Sequence, residues 1–220
     1  MRLPIEEHRK HAWLVSRLAP DFELLDVWRY PIELDDRIPL DRFIDFMQSS
    51  QRELVSSRGA AGALFRLRSV LGRVFGWDDD EAHSSPALPI PGCRETSLRD
   101  RLTDADREGE TMGSGGEALN ESSSSFKPVY RRENESLLEI SNKTVHAMMH
   151  LGRVPISATK WSPQLGVYAK TRGRLGGFYM GLISPFRHYV VYPAMMRTAQ
   201  KGWPRYARAH GLDGDGKPDR

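Results

Sequence analysis

The chain has 220 residues, 39% of them hydrophobic and 28% charged, which is enough for one sizeable core in a globular domain. Its net charge of +3 is too small to predict a nucleic-acid-binding protein unless the basic residues are clustered. The single cysteine, Cys93, excludes an internal disulfide framework and is typical of a reducing compartment. The N-terminus has no apolar run of signal-peptide length, so we expect a cytoplasmic protein.

The first part of the chain predicts a strand followed by two helices. Residues 21–34 mix aromatic and branched side chains around Pro31, a pattern typical of a bent or edge strand. Residues 38–50 carry apolar side chains at helical spacing behind Pro39. Residues 57–75 predict a second, amphipathic helix, whose arginines lie mostly off the apolar stripe on a solvated outer face.

The composition changes over residues 78–125, which are acidic, rich in Ser, Gly and Pro, and poor in large apolar residues. Such a segment cannot bury enough apolar surface to offset the entropy lost on ordering. We expect a partly disordered excursion with a short helix near Ser97–Leu102, and a bystander thiol at Cys93. The excursion interrupts a single domain over residues 1–210, and residues 211–220 form a flexible tail.

Order is expected to return with a run of strands. Val129–Ile140 and Thr144–Val154 are two predicted strands joined by a tight turn at Asn142-Lys143. A third strand is expected within residues 161–177, with Leu165, Val167 and Ala169 on one face and Gly166, Tyr168 and Lys170 on the other. Short turns between consecutive strands predict an antiparallel meander.

The C-terminal region is predicted to be helical. Two turns precede Ser184-Pro185, which forms the cap and first turn of a longer helix with a kink at Pro193. The apolar run Leu175–Met196 contains Arg187 and His188 as well as two prolines, which argues against a transmembrane span. A helix packed on the core is favoured, and a helix lying at a membrane surface stays open as the alternative.

Two histidines, His146 and His150, are separated by one helical turn, which is a familiar spacing for metal ligands. However, Ala147 replaces the glutamate of an H-E-x-x-H motif, and the residues alternate as they do in a strand. On a strand both histidines share one face with Met148. We therefore expect hydrogen-bonded core residues or polar contacts of a cavity, and no metal site.

The segment Ile183–Pro193 places polar side chains on an apolar helix. Arg187 and His188 project about 100° apart, so only one of them is expected to face the core directly. Tyr192 lies one turn after His188 on the same side. Either these side chains contact a ligand or they hydrogen-bond the helix to the sheet, and the sequence leaves both alternatives open.

Four stretches resemble the bacterial family of domain of unknown function 2867: PDFELLDVW, LFRLRSVLGRVFGWD, NKTVHAMMHLGRV and GGFYMGLISPFRHYVVYPAMMR. The resemblance spans roughly Ala19 to Trp203, and a further piece, LRDRL, occupies Leu98–Leu102. Arg153 departs from the tryptophan that members often carry after HLG, which removes the expectation of an aromatic wall there. The resemblance implies a helix-grip-like α+β domain, related to the START and birch-pollen-allergen superfamily: a curved antiparallel sheet packed on a long C-terminal helix. It brings no established reaction and no catalytic residues.

We therefore expect an α+β domain that binds a small hydrophobic molecule between the sheet and the C-terminal helix, without a cofactor, a nucleic acid or a transmembrane segment. The oligomeric state is left open, including a homo-oligomer. The predicted ligand contacts are His146, Met148, His150, Tyr168, Phe186, His188 and Tyr192. One alternative is an enzyme that uses a cavity histidine as a general acid or base. The other is a protein associated with a membrane surface.

Overall fold

The structure is a computed structural model that describes residues 1–56, 88–111, 126–173, 184–185 and 187–212. Several sequence predictions lie outside these ranges. They are the helix at 57–75, the parts of the excursion at 78–87 and 112–125, the helical turns before Ser184, and most of the tail at 211–220.

Strands and helices alternate in the first part of the described chain, and strands dominate its middle. The first part contains β1 (Arg2–Leu3), α1 (Ile5–Arg9), α2 (Leu14–Leu18), β2 (Glu23–Arg29), β3 (Leu34–Asp35) and α3 (Leu40–Ser56). The second part contains a 3₁₀ helix (Leu98–Arg101), α4 (Asp104–Glu108), β4 (Lys127–Arg131), β5 (Glu135–Ser141), β6 (Val145–Pro155), β7 (Lys160–Thr171), a π-helical turn (Arg187–Val191) and α5 (Tyr192–Ala209).

The strands form a single antiparallel sheet in the order β1-β2-β7-β6-β5-β4, and β3 pairs with β7 beyond the end of β2. This confirms the predicted α+β class and the antiparallel meander. The helix behind Pro39 is confirmed as α3. The prediction of one strand over Val129–Ile140 is wrong, because this run folds back on itself as the hairpin β4–β5. The reversal comes at the polar residues 132–134, and the Arg132 amide donates to the Glu135 carbonyl at 2.8 Å.

The strand predicted in residues 21–34 is β2, and a register shift against β7 between Leu24 and Asp26 bends it. Leu24 pairs with Tyr168, whereas Asp26 pairs with Val167. Because successive residues of a strand point to opposite faces, this bulge turns Asp26 to the face opposite Leu24. A carboxylate is thereby aimed into an otherwise apolar layer.

Each face of the sheet is covered, and the two layers are distinct. The front face is covered by α1, α2 and residues 88–102, around the buried side chains of Leu18, Leu98 and Met148. The back face is covered by α3 and α5, around an aromatic cluster that includes Phe43 and Trp203. The alternation predicted for β6 is confirmed, because Met148 packs in the front layer whereas Met149 and Leu151 pack against the back layer.

The C-terminal helix packs on the back face, as predicted. Its irregularity precedes Pro193, in the π-helical turn Arg187–Val191. Proline has no amide hydrogen, and its ring clashes with the carbonyl four residues earlier, which favours a widened turn at this point. The widened turn changes which side chains face the sheet.

Candidate functional site

The predicted ligand contacts lie on two sides of the sheet. His146, Met148, His150 and Tyr168 belong to the front layer, and His188 and Tyr192 extend from the C-terminal helix towards the back face. Phe186 lies outside the described residues. The structure therefore does not bring the six described residues together in one cavity between the sheet and the last helix, because the sheet separates the two groups. Whether any of them binds a ligand stays a prediction.

The polar group on the back face, which we call the Asp26 cluster, consists of Asp26, His188, Tyr192, Arg187 and Arg2. The Asp26 side chain is fully buried, and one of its oxygens, Oδ1, is hydrogen-bonded to His188 Nε2. The Tyr192 hydroxyl donates to Asp26 Oδ2 at 3.2 Å, and Arg187 Nη2 lies 3.4 Å from the same oxygen. Arg2 Nη2 approaches Oδ1 at 3.8 Å from a largely exposed position. The cluster thus runs from a buried carboxylate to the protein surface.

Both Arg187 and His188 reach Asp26, so the prediction that only one of them faces the core is wrong. Two structural features allow both side chains to reach Asp26. The neighbouring residues lie in the widened π-helical turn, and the long arginine side chain can bend back over the sheet. Their side chains are 16% and 18% exposed, so both are largely enclosed while neither is sealed from solvent.

The imidazole of His188 has a partner on each ring nitrogen. Because a carboxylate oxygen only accepts hydrogen bonds, Nε2 carries the proton that is donated to Asp26. In the neutral imidazole, Nδ1 is then a hydrogen-bond acceptor, and the Ser184 hydroxyl oxygen lies 3.3 Å from it. Burial, together with the nearby Asp26 charge, raises the pKa of Tyr192, so its phenol remains a hydrogen-bond donor.

Two nitrogen donors on the back face lack an acceptor among the residues that the structure describes. They are Arg187 Nε, beside Asp26, and the indole Nε1 of Trp28. Trp28 packs against Tyr192 with ring centroids 5.1 Å apart. Each buried donor without a partner costs about 1–3 kcal/mol. Within the cluster, two guanidinium groups also face the single carboxylate of Asp26.

Sequence reasoning missed Asp26, although it stands in the strand segment ELLDVW. A charged residue inside an apolar strand is a warning of a buried polar contact. The bulge that turns this residue towards the C-terminal helix cannot be deduced from a local pattern, so its partners were not predictable.

The histidines of the front face each pair with a glutamate of β5. His150 Nε2 lies 3.0 Å from Glu135 Oε2, and His146 Nε2 lies 3.0 Å from Glu139 Oε2. In each pair the glutamate stands opposite a residue two positions after its histidine, so the two contacts are equivalent diagonals across the β5–β6 ladder. The spacing of four residues that first suggested a metal site therefore matches the spacing of the glutamates.

Each glutamate also holds the first turn of a helix over the front face. Glu135 accepts from the Leu14 amide at 3.0 and 3.1 Å, at the start of α2, and from the Tyr130 hydroxyl at 2.7 Å. Glu139 accepts from the Leu98 amide at 3.1 Å, at the start of the 3₁₀ helix. Burial raises the pKa of both carboxyls, but their histidine and backbone hydrogen bonds outweigh it and leave the pKa lowered. These pairs fasten the covering segments to the sheet.

A third histidine on the front face, His8, was not predicted as a site residue. It is fully buried, and Nδ1 lies 2.6 Å from Gln164 Oε1. Its ring fits over Gly166, where an added Cβ would lie 2.8 Å from His8 Cε1. Burial, with the neighbouring His150, lowers the pKa of His8 to about 3, and burial also lowers the pKa of His150. Neutral imidazoles packed among aromatic rings are structural groups, which agrees with the core alternative for His150.

The thiol of Cys93 lies 3.3 Å from Arg101 Nη2 and 3.9 Å from Lys170 Nζ, so basic groups surround it more closely than the sequence suggested. Asp21 accepts from both basic groups, at 2.7 and 2.6 Å. The network ties the segment that carries Cys93 and Arg101 to the sheet, and its positive charge is already partly compensated.

The described residues contain neither a cluster of metal ligands nor a helix that could span a membrane. No group of three His, Cys, Asp or Glu residues in those ranges could hold a metal ion. No helix in the same part of the chain is long and apolar enough to cross a membrane.

Comparison with known proteins identifies a family but no characterised relative. A search of curated proteins finds no match to the chain, and neither does a search of solved structures. The sequence model of DUF2867, described as a protein of unknown function, matches residues 18–194. The match includes the Asp26 cluster except for Arg2, and it includes both Glu–His pairs, whereas His8 lies before it. The chain therefore belongs to the DUF2867 family.

Proposed function

We propose that the chain binds a small, largely apolar molecule with a carbonyl or carboxylate group at the Asp26 cluster. The observation that carries the proposal is the buried Nε of Arg187, a cationic donor with no acceptor among the described residues. A hydrogen bond to a charged donor contributes about 1.5–3 kcal/mol, and an acceptor on the ligand would gain it. Trp28 Nε1 is a neutral donor on the same face that also has no acceptor among the described residues.

The surroundings of the cluster support an apolar body for the ligand. The rings of Trp28 and Tyr192 pack together beside it, and Val167 stands opposite Asp26 on the neighbouring strand. Ligand sites commonly combine apolar walls with a few polar groups that fix the orientation of the bound molecule. Arg187 would bind the oxygen of the ligand, and Asp26 would hold Arg187 and His188 in place.

The arrangement of the C-terminal helix and the sheet supports a helix-grip relation as part of the same proposal. A C-terminal helix lying across an antiparallel sheet is the arrangement that a helix-grip domain requires, so we include a START-like relation in the proposal. The single cysteine is typical of a reducing compartment, so we include a cytoplasmic location in the proposal.

The proposal is tested by screening apolar carboxylic acids, ketones and esters against the full chain by ligand-observed NMR. The affinity of each hit is then measured for wild type, Arg187→Met and Arg153→Met. Arg153 is the matched control, because its side chain is 13% exposed, close to the 16% of Arg187, and its Nη2 also pairs with an aspartate.

We expect Arg187→Met to weaken binding by about 10-fold or more, because it removes the guanidinium donor and keeps the unbranched stem of the side chain. Arg153→Met should bind like wild type. A screen without any hit, or an equal loss in the two variants, would overturn the proposal.

A further inference from the structure

We propose that Ser184 is a nucleophile, that His188 is its general base and that Asp26 positions the histidine, so that the site hydrolyses carboxylic esters or thioesters. This inference rests on the proposed function, because it uses the same cluster and the same carbonyl-bearing ligand class. It adds a reaction and assigns the acyl group as the part of the ligand that reacts.

The geometry has the three parts that an activated serine needs. Ser184 Oγ lies 3.3 Å from His188 Nδ1, and Asp26 holds the opposite nitrogen of the same ring. Nucleophile, base and orienting carboxylate in this sequence of contacts can pass a proton from the hydroxyl to the imidazole. The serine uses Nδ1 and the aspartate uses Nε2, and the relay requires only that the two nitrogens be different.

A serine one turn before a histidine on a helix can form such a hydrogen bond without any catalytic role. The buried Asp26 is what separates the two interpretations. A helix needs no carboxylate to hold its own side chains, and removing a carboxylate from water is costly unless donors surround it. Here Tyr192 and Arg187 supply those donors. They stabilise the buried Asp26 carboxylate, which accepts a hydrogen bond from His188.

The reaction can be written with the side chains of the cluster and one water molecule. Ser184 Oγ bonds to the acyl carbon while its proton moves to His188 Nδ1, and the carbonyl electron pair moves to the oxygen. The unpartnered Arg187 Nε–H donates to that oxygen. The tetrahedral intermediate then expels the alcohol or thiol, which takes the proton from Nδ1.

Water completes the cycle by the same route. It attacks the acyl-serine as His188 removes its proton, and the serine leaves with that proton restored. The sum is one ester and one water converted to one carboxylic acid and one alcohol, with no change of oxidation state and no co-reactant besides water.

The reaction is tested on the full chain with p-nitrophenyl acetate, butyrate and octanoate, and with a fluorophosphonate probe followed by peptide mapping. We expect the probe to label Ser184, and we expect Ser184→Ala to lose the label and at least about 100-fold in kcat/KM. Ser49→Ala is the control, because Ser49 is also a helical serine bonded within its own helix, through Oγ to the Phe46 carbonyl at 2.8 Å. The Ser49→Ala variant should be labelled at Ser184 and should be as active as wild type.

Two further variants separate positioning from folding. Asp26→Asn should lower kcat and change the dependence of kcat/KM on pH, because the ring would lose its fixed tautomer. If that variant does not fold, Tyr192→Phe removes one donor from the carboxylate and should change the same profile with KM nearly unchanged.

The outcomes distinguish this inference from the proposed function. A wild-type protein that binds the screened ligands but shows no ester turnover and no label on Ser184 would overturn the nucleophile and leave the binding site standing. Label on another residue, unaffected by Ser184→Ala, would do the same. Absence of ligand binding would overturn both.

Discussion

His8 makes the front face sensitive to acid, and its replacement by asparagine should remove part of that sensitivity. The ordinary pKa of histidine, 6.5, applies in the unfolded chain, whereas burial lowers the pKa of His8 to about 3 in the folded protein. Between these values the unfolded state binds the proton and the folded state does not. The stability that depends on the neutral His8 ring is therefore fully present above pH 6.5, and it is lost as the pH falls towards 3.

The magnitude follows from proton linkage. Each pH unit below 6.5 costs about 1.4 kcal/mol, so lowering the pH to 5.0 should remove about 2 kcal/mol through this residue alone. Solvent screening does not reduce this figure, because the His8 side chain is fully buried. His8→Asn keeps a polar atom for Gln164 and has no group that titrates in this range.

The assay is urea-induced unfolding of wild type and His8→Asn at pH 7.0 and pH 5.0. Wild type should lose about 2 kcal/mol more than the variant between the two pH values. Val15→Ala is the control, because it removes buried methyl groups from α2 in the same layer. It should lower stability by about 2 kcal/mol at both pH values and keep the wild-type response to pH. Equal pH responses of wild type and His8→Asn would refute a neutral, buried His8.

Three further substitutions test the contacts described above. Glu135→Gln should destabilise the fold by about 2–4 kcal/mol at pH 7, because a neutral amide cannot accept from three buried donors as a carboxylate does. The pKa of the Glu135 carboxyl is lowered in the folded protein, so its stabilisation is present above pH 4.5 and is lost as the pH falls below that value. The acid unfolding curves of wild type and variant should therefore converge. Gly166→Ala should cost about 1–3 kcal/mol in chemical denaturation, because the new methyl group meets the His8 ring; an unchanged midpoint would contradict this packing. Tyr192→Phe should cost about 1–2 kcal/mol by removing one hydrogen bond from Asp26, and a neutral outcome would argue against that bond.

Local patterns predicted the elements whose side chains alternate or repeat regularly. The two faces of β6 were predicted because Met148 and Met149 belong to a strict alternation, and α3 was predicted from helical spacing behind Pro39. The hairpin β4–β5 was missed because apolar residues on both sides of residues 132–134 gave the appearance of one long strand. The polar residues between them were the available sign of a turn.

The site was predictable only in part, because it depends on contacts between distant segments. His188 and Tyr192 are predicted from the sequence as ligand contacts on one side of the C-terminal helix. Their partner Asp26 lies more than 160 positions away in sequence and faces them only because of the bulge in β2. The pairing of His146 with Glu139 was likewise hidden, since the hairpin register that creates the diagonal contact is a property of the folded sheet.

The location of ligand binding can be measured directly at two indole groups. Trp28 Nε1 lies on the back face beside the Asp26 cluster, and Trp13 Nε1 lies on the front face; both are buried without a partner among the described residues. Titration of a screened ligand into ¹⁵N-labelled protein, with signals assigned by Trp28→Phe and Trp13→Phe, should shift the indole resonance of Trp28 and leave that of Trp13 in place. A shift of Trp13 alone, or no shift at either indole at saturating ligand, would contradict a binding site on the back face.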